Sequence, residues 1–352
     1  MFHVKHLKFS ITIQPPELLR HQDIPFSLNF PLEILSQEVC RRYNLGKFID
    51  NQLIKIGYED YNFILTTSKG KFVVKVFSNL RTDKDCQNLA DRGSIPHKHG
   101  FSCPKIYETS QGNLLITTIN GVKFRLLVMD YVDGKDFFTL DELPSEEELK
   151  VIAQETAKLN LIDYRPEFIY DKWAIVNFEK EYLQNKKYLS GKYKTLIEQV
   201  YNEFKTADFS RLKYGFVHGD IIETNILRDS KNKLWFIDFS VSNYLPRIVD
   251  LAVPICDLCL DLDNIDLSKQ RAKTFLTEYG IVYPLTDYEV QALKIFLKCH
   301  QAISILETTR EKIEENNTSD ENLKFLDKAQ KGLDLMLNYD FIESNQNFKE
   351  EK

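Results

Sequence analysis

The apolar positions of this chain change period once. Up to about residue 134 they come in short, β-branched blocks; from residue 145 onward they recur every three to four residues. Three runs, Leu53 to Gly57, Tyr61 to Thr67 and Lys71 to Phe77, are separated by polar turns that include Ser68-Lys69-Gly70, which predicts an antiparallel meander. Pro31 to Tyr43 predicts a leading helix with Leu32, Leu35 and Val39 on one side, closed at Asn44-Leu45-Gly46. Thr82 to Gly100 predicts a helix interrupted at Gly93 and Pro96, followed by strands at Cys103 to Tyr107, Asn113 to Thr118 and Arg125 to Gly134. Beyond the glycine turn, Ser145 and Glu148 form a capping box. Leu149, Ile152, Ala153, Thr156, Ala157 and Asn160 then follow at helical spacing. Further helices are predicted within 175–206 and at 250–260, 268–279, 287–307 and 319–337.

The fold class is therefore α+β in two lobes. Residues 1–50 are an extension and leading helix, the first thirty being unassigned. Residues 51–134 are a sheet-rich lobe ending in a hinge, 135–338 a mostly helical lobe, and 339–352 a polar tail expected to fray. A length of 352 residues agrees with two lobes.

One stretch interrupts the helical half. Phe216-Val217-His218-Gly219-Asp220-Ile221-Ile222-Glu223-Thr224-Asn225-Ile226-Leu227, then Leu234-Trp235-Phe236-Ile237-Asp238-Phe239, reads as short apolar strands whose ends carry Asp220, Asn225 and Asp238. Two carboxylates and an amide at one sheet rim suit Mg2+, which takes a few protein oxygens and completes its octahedron with water and phosphate. The spacing is that of a kinase catalytic loop followed by an Asp-Phe pair. Lys75, inside an apolar strand, needs an anion, and a nucleotide phosphate serves. Gly57 to Asn62 is the candidate flap over phosphates, through backbone N–H groups in a turn. A carboxylate partner for Lys75 is expected from the helix after Thr82, where Asp91 and Asp85 both qualify.

Composition narrows the partners. A formal net charge of −6 provides no basic face for nucleic acid. No run of about 18 apolar residues is present to span a membrane, and no apolar signal core follows the N-terminus. Six scattered cysteines fit a reducing cytoplasm. Cys256 and Cys259 read as one face of a helix, and His97 and His99 as exposed residues of a polar turn.

The order of these parts resembles the aminoglycoside phosphotransferase family, whose relatives include homoserine, choline and hydroxylysine kinases and which shares the bilobal protein-kinase-like fold. The likeness spans about residues 50–310 and rests on His218-Gly219-Asp220…Asn225, Ile237-Asp238-Phe239 and Asp250-Leu251-Ala252, with Val73-Val74-Lys75 and the run Val128 to Gly134. It implies that Asp220 steers the proton of an acceptor hydroxyl and that Asn225 and Asp238 hold Mg2+ on the nucleotide. Lys75 would grip the α/β-phosphates. Asp130 and Val132 would meet a purine through their backbone, with Met129 behind it, while His218 and Asp250 brace the loop. The chain departs from the family at Ser240, at Leu159-Asn160 and in lacking a glutamate between Thr82 and Cys103.

The expected activity is transfer of the γ-phosphoryl group of ATP, with GTP as the alternative donor, to a hydroxyl of a small molecule such as an aminoglycoside, homoserine, choline or a related amino alcohol. A protein kinase is the lesser reading, because little chain separates Asp238 from Asp250 and no Ala-Pro-Glu follows. A pseudokinase is the other alternative. Asp250, Asp257, Asp261, Asp263 and Asp266, in a span free of Lys and Arg, read either as helix caps or as a lining for a cationic acceptor. Tyr170, Trp173 and Phe178 are candidates for a pocket wall.

Overall fold

The computed structural model describes residues 31–54 and 60–342. Gly57, the expected extension before residue 31 and the chain after 342 lie outside the described residues; of the tail expected to fray from 339, Phe341 and Ile342 are instead buried against the helical lobe. Helix α1 (Leu32–Arg42) leads into strands β1 (Phe48–Ile54), β2 (Tyr61–Thr67) and β3 (Gly70–Val76), then helix α2 (Asp83–Lys98) and strands β4 (Leu115–Ile119) and β5 (Val122–Asp130). These strands pair antiparallel in the order β1-β2-β3-β5-β4.

Alternation sends β2 and β3 side chains to opposite faces. Phe63, Leu65, Phe72, Val74 and Val76 pack under α1, against Leu35 and Val39. On the other face α2 lays Cys86, Leu89 and Ala90 over Leu127 and Ile106. Lys75 is out of phase with Val74 and Val76, so it leaves the α1 face and points towards the second lobe. Each fully buried aliphatic side chain contributes roughly 1.5–3 kcal/mol, and the two layers clamp the sheet from both sides.

Helix α2 runs unbroken through Gly93 and Pro96, started by a capping box between Thr82 and Asp85. Cys103 to Tyr107 makes a single bridge, Ile106 to Met129, instead of the expected strand. Pro104 lacks an N–H for a ladder, and the segment's backbone bonds to β5 run from Tyr107 N–H to Val128 O and from Asp130 N–H to Lys105 O.

After β6 (Gly134–Asp136) and a short helix α3 (Phe137–Leu140), the chain turns helical. Helix α4 (Glu146–Asn160) starts at the Ser145–Glu148 capping box and buries the apolar stripe ending in Asn160. Helices α5 (Phe178–Asn185) and α6 (Gly191–Thr206) follow, then the strand inserts β7 (Tyr214–Val217), β8 (Ile226–Asp229), β9 (Leu234–Phe236) and β10 (Asn243–Pro246). Helices α7 (Val249–Leu258), α8 (Ile265–Val282), α9 (Asp287–Glu314) and α10 (Asp320–Asn338) complete the lobe; α5, α6, α7 and α10 pack around α9, and α8 lies against α4. Strand β7 pairs with β10, and β8 sits between β6 and β9. Gly215 lies so close to the end of α4 that a Cβ there would stand 2.4 Å from Asn160 O. That contact brings β7 and the loop it feeds onto α4.

Candidate active site

Residues 218–225 leave β7 and return as β8. Gly219 turns the chain at φ +83°, a conformation glycine adopts without penalty. The loop hangs on Asp250, at the start of α7 and fully buried. Asp250 Oδ2 accepts the His218 N–H and the Asn160 amide, and Oδ1 accepts the Gly219 N–H, all at 2.8 Å. Burial raises the Asp250 carboxyl to about 6 against those donors. Tyr279 in turn donates to Asn160 Oδ1 at 2.8 Å.

His218 is buried on Phe239, ring centres 4.6 Å apart. Its Nδ1 accepts the Asp220 N–H at 3.3 Å, which assigns the ring proton to Nε2, 3.1 Å from Ile237 O. Burial lowers its pKa to about 4, so the ring is a neutral strut between the loop and the Asp238 segment.

Asp220 and Asn225 face each other. The Asn225 amide donates to Asp220 Oδ2 at 2.7 Å and to Asp220 O at 2.9 Å. Burial pushes the Asp220 carboxyl up to about 7; Asp171 and Asp238 add to the rise, and the Asn225 hydrogen bond opposes it. A carboxylate poised there can accept a hydroxyl proton near neutrality. With its nitrogen engaged, Asn225 has its amide oxygen for a cation.

Asp238 adopts φ +62°, a left-handed conformation uncommon outside glycine. Its side chain is 46% exposed, with Oδ1 3.8 Å from Lys75 Nζ and accepting the Ser240 N–H at 3.2 Å. The Lys75 ammonium holds Asp238 below the usual carboxylate range. An ionised carboxylate and an amide oxygen on adjoining segments fit Mg2+, which keeps several waters and binds substrate phosphate.

Lys75 Nζ also lies 3.7 Å from Asp60 Oδ2. The expected partner on α2 does not meet it. Asp91 accepts from Gln87 at 2.9 Å and Asn113 at 2.8 Å, and Asp85 is spent on the α2 cap. Asn62 stands across from Lys75 in the β2–β3 register. Met129 and Lys75 border a cavity of ≈ 70 Å³ with Leu89, Gly93 and Phe239. At the hinge, Asp130 turns its carboxylate back to Tyr107 O–H at 2.8 Å and Lys105 N–H at 3.1 Å. The Val132 carbonyl accepts the Gly134 N–H at 3.0 Å.

Behind the loop, Asp257 Oδ2 accepts the Glu223 N–H at 2.6 Å. Lys328, reaching in from α10, lies 2.5 Å from Glu223 Oε1 and 3.2 Å from Asp257 Oδ1. Burial and Asp257 raise Glu223, while Lys328 opposes the rise. Of the acidic run after Asp250, Asp257 alone joins this cluster; Asp261 caps its own turn, and Asp263 and Asp266 are exposed. Phe178 is core, edge-on to Phe204, and not a pocket wall; Tyr170 and Trp173 are half-buried. Asp171, Glu223 and Lys328 went unread in the sequence because nothing local marks them, and Asp60, inside the stretch read as a phosphate flap, was not read as the partner of Lys75; distant packing brings them in.

A sheet lobe whose partly buried Lys75 faces a helical lobe, with an Asp-x4-Asn loop and an Asp-Phe segment beside it, defines a phosphoryl-transfer enzyme of protein-kinase-like fold. The chain belongs to the phosphotransferase enzyme family, which it matches over residues 50–286. It is similar to the homoserine kinase of Janthinobacterium sp. (strain Marseille), 25% identical over 76% of this chain and 82% of that one. A homoserine kinase of Methylobacillus flagellatus is 24% identical over 72% and 77%. Among solved structures, an amicoumacin kinase in complex with AMP-PNP, Ca2+ and Ami superposes with TM-score 0.67 at 16% identity, covering 92% of this chain and 99% of that one. A choline kinase from Streptococcus pneumoniae gives 0.55 at 13%, covering 88% and 99%. The chain is a small-molecule phosphotransferase.

Proposed function

We propose that the chain transfers the γ-phosphoryl group of ATP, as its Mg2+ complex, to the hydroxyl of a small amine-bearing compound. The observation that carries this reading is the Asp220–Asn225 pair beside Asp238 and Lys75: a base with a carboxyl near 7, an amide oxygen, an open ionised carboxylate and a cation. In this reading Asp220 orients the acceptor hydroxyl and takes its proton as the oxygen attacks the γ-phosphorus, whose bond to the β–γ bridging oxygen breaks and releases ADP. Asn225 and Asp238 hold the metal, and Lys75 holds the α/β-phosphates. Mg2+ when bound supplies charge neutralisation on the phosphates, and the protein's share is positioning. Asn62 and Gly57 are assigned to the phosphate flap, and the Asp130–Val132 backbone with Met129 to the purine.

The amine follows from charge. Asp171, Asp238 and Asp257 all raise the Asp220 carboxyl, an acidic surround that favours a cation. Similarity to homoserine kinases is in keeping with an amino-acid-sized acceptor. The cytoplasm is the proposed compartment, since all six cysteines are buried and free. Among the described residues no helix is long and apolar enough to cross a membrane.

The test is Mg2+-dependent nucleotide consumption against amino alcohols, hydroxy amino acids and aminoglycosides, with Asp220→Asn as control. Acceptor-dependent turnover lost in the variant is expected, with nucleotide binding retained. Turnover that survives in the variant would remove Asp220 from the base role.

A further inference from the structure

The helix packed across the phosphate lysine offers it no acid. The inner face of α2 is Cys86, Leu89 and Ala90, buried with Phe77, Ile106 and Leu127. Gly93 comes so near Ile106 that a Cβ would sit 2.8 Å from its Cδ1, so a side chain there would have to displace the end of Ile106. A carboxylate among these groups would be desolvated without a partner. The large polar residue that α2 does bury, Arg92, points elsewhere: it donates to Glu167 O and, at 3.4 Å, to Asn243 Oδ1.

Resting on the proposed function, we infer that Asp60, at the head of β2, is the positioning residue for Lys75 and replaces an acid on α2. Its side chain is 4% exposed and its two oxygens divide the work. Oδ1 accepts the Ser78 N–H at 3.0 Å and Arg81 Nε at 3.2 Å, which pins the carboxylate to the strand end beyond β3. Oδ2 faces Lys75 Nζ at 3.7 Å. Lys75 thus stands between an acid of its own sheet and Asp238 of the other lobe, at 3.7 and 3.8 Å. Both separations exceed a hydrogen bond, so a phosphate oxygen entering the cleft can draw the ammonium in while Asp60 keeps it oriented. Tyr61 pairs with Val76 in the β2–β3 register, and Ser78 and Arg81 on the segment leading from β3 to α2 hold the carboxylate, so the alignment comes from the β2–β3 pair and the turn beyond it.

Asp60→Asn is the discriminating substitution, since the amide keeps an acceptor for Ser78 and removes the charge from Lys75. Binding of N-methylanthraniloyl-ADP with Mg2+ is measured for the wild type, Asp60→Asn, Lys75→Met and the double variant, alongside KM for nucleotide and acceptor. The expected result is nucleotide affinity weaker by about tenfold in Asp60→Asn, within the range for coupled contacts, with acceptor KM unchanged. Because Asp60 acts through Lys75, the double variant binds no more weakly than Lys75→Met alone. Wild-type affinity in Asp60→Asn, or additive losses in the double variant, would overturn the inference. So would finding the loss in Asp91→Asn instead. Wild-type protein that binds no nucleotide would overturn the proposed function, and this inference with it.

Discussion

Asp250 Oδ1 accepts the Gly219 N–H at 2.8 Å, tying the turn before Asp220 to the start of helix α7. The same carboxylate holds His218 N–H and the Asn160 amide, so three donors converge on one buried anion. In Asp250→Asn the amide nitrogen confronts one of those donors. A buried group left unsatisfied costs about 1–3 kcal/mol. If that strain falls on the loop, kcat drops by roughly 5–150-fold while nucleotide KM stays near wild type. Steady-state kinetics decide it, and an unchanged kcat would show that Asp250 supports the fold alone.

Arg247 and Glu289 form a bidentate pair at 2.7 Å with neither side chain exposed. Arg247 also donates to Pro284 O at 2.6 Å and lies 3.6 Å from the Tyr283 ring centre, while Glu289 closes the α9 capping box. The pair joins the end of β10 to α9. Arg247→Met leaves Glu289 charged and uncompensated, a loss of about 3–5 kcal/mol. Adding Glu289→Met removes that charge, and urea unfolding is expected to recover part of the loss. A double variant as unstable as the single would place the cost in packing.

What the sequence revealed depended on distance along the chain. Period and turn residues marked the β2–β3 hairpin and the α4 capping box, because those signals lie within a few residues of the structure they specify. The loop was legible for the same reason: Asp220, Asn225 and Asp238 sit on consecutive short segments that must return to one rim. Long-range partners were not. Asp60 falls within the stretch Gly57 to Asn62 read as a phosphate flap, yet the pairing of β2 with β3 carries its carboxylate to Lys75. Lys328 lies on an amphipathic helix and reads as solvated until α10 packs behind the loop. The failed strand at Cys103 to Tyr107 had the right residues but, with Pro104, one ladder donor too few.

Lys328 balances two carboxylates against the turn that carries Asn225, donating to Glu223, to Asp257 Oδ1 and, at 3.0 Å, to the Asp257 carbonyl. Burial works against its charge, but Asp257 and Glu223 together hold its pKa above the usual value. Lys328→Met is expected to cost about 3–5 kcal/mol, as when one partner of a buried pair is removed. Lys328→Met with Glu223→Gln removes one stranded charge and is expected to be more stable than the single variant. Denaturant unfolding at pH 7.5 compares them. Equal stability of the single and double variants would mean that Glu223 does not feel Lys328.

His300 sits behind the same cluster, facing Asp257 and Lys328, with a buried Nδ1 that has no hydrogen-bond partner among the described residues. Burial lowers its pKa to about 4, with Asp257 pulling it up and Lys328 holding it down. The unfolded chain protonates this histidine near 6.5, so between those values the unfolded state binds a proton that the folded state refuses. Stability from His300 is therefore complete above 6.5 and lost as pH falls towards 4. At pH 5 the loss is ~2 kcal/mol, from the 1.36 kcal/mol carried by each pKa unit. Asp220 and Asp250, both raised, move stability the opposite way in this range, but they are common to wild type and His300→Gln. The difference between the two proteins, followed by urea unfolding at pH 7.5 and pH 5, thus isolates the histidine. The wild type is expected to lose ~2 kcal/mol more than the variant over that interval; parallel curves would mean that His300 takes up its proton in the folded protein.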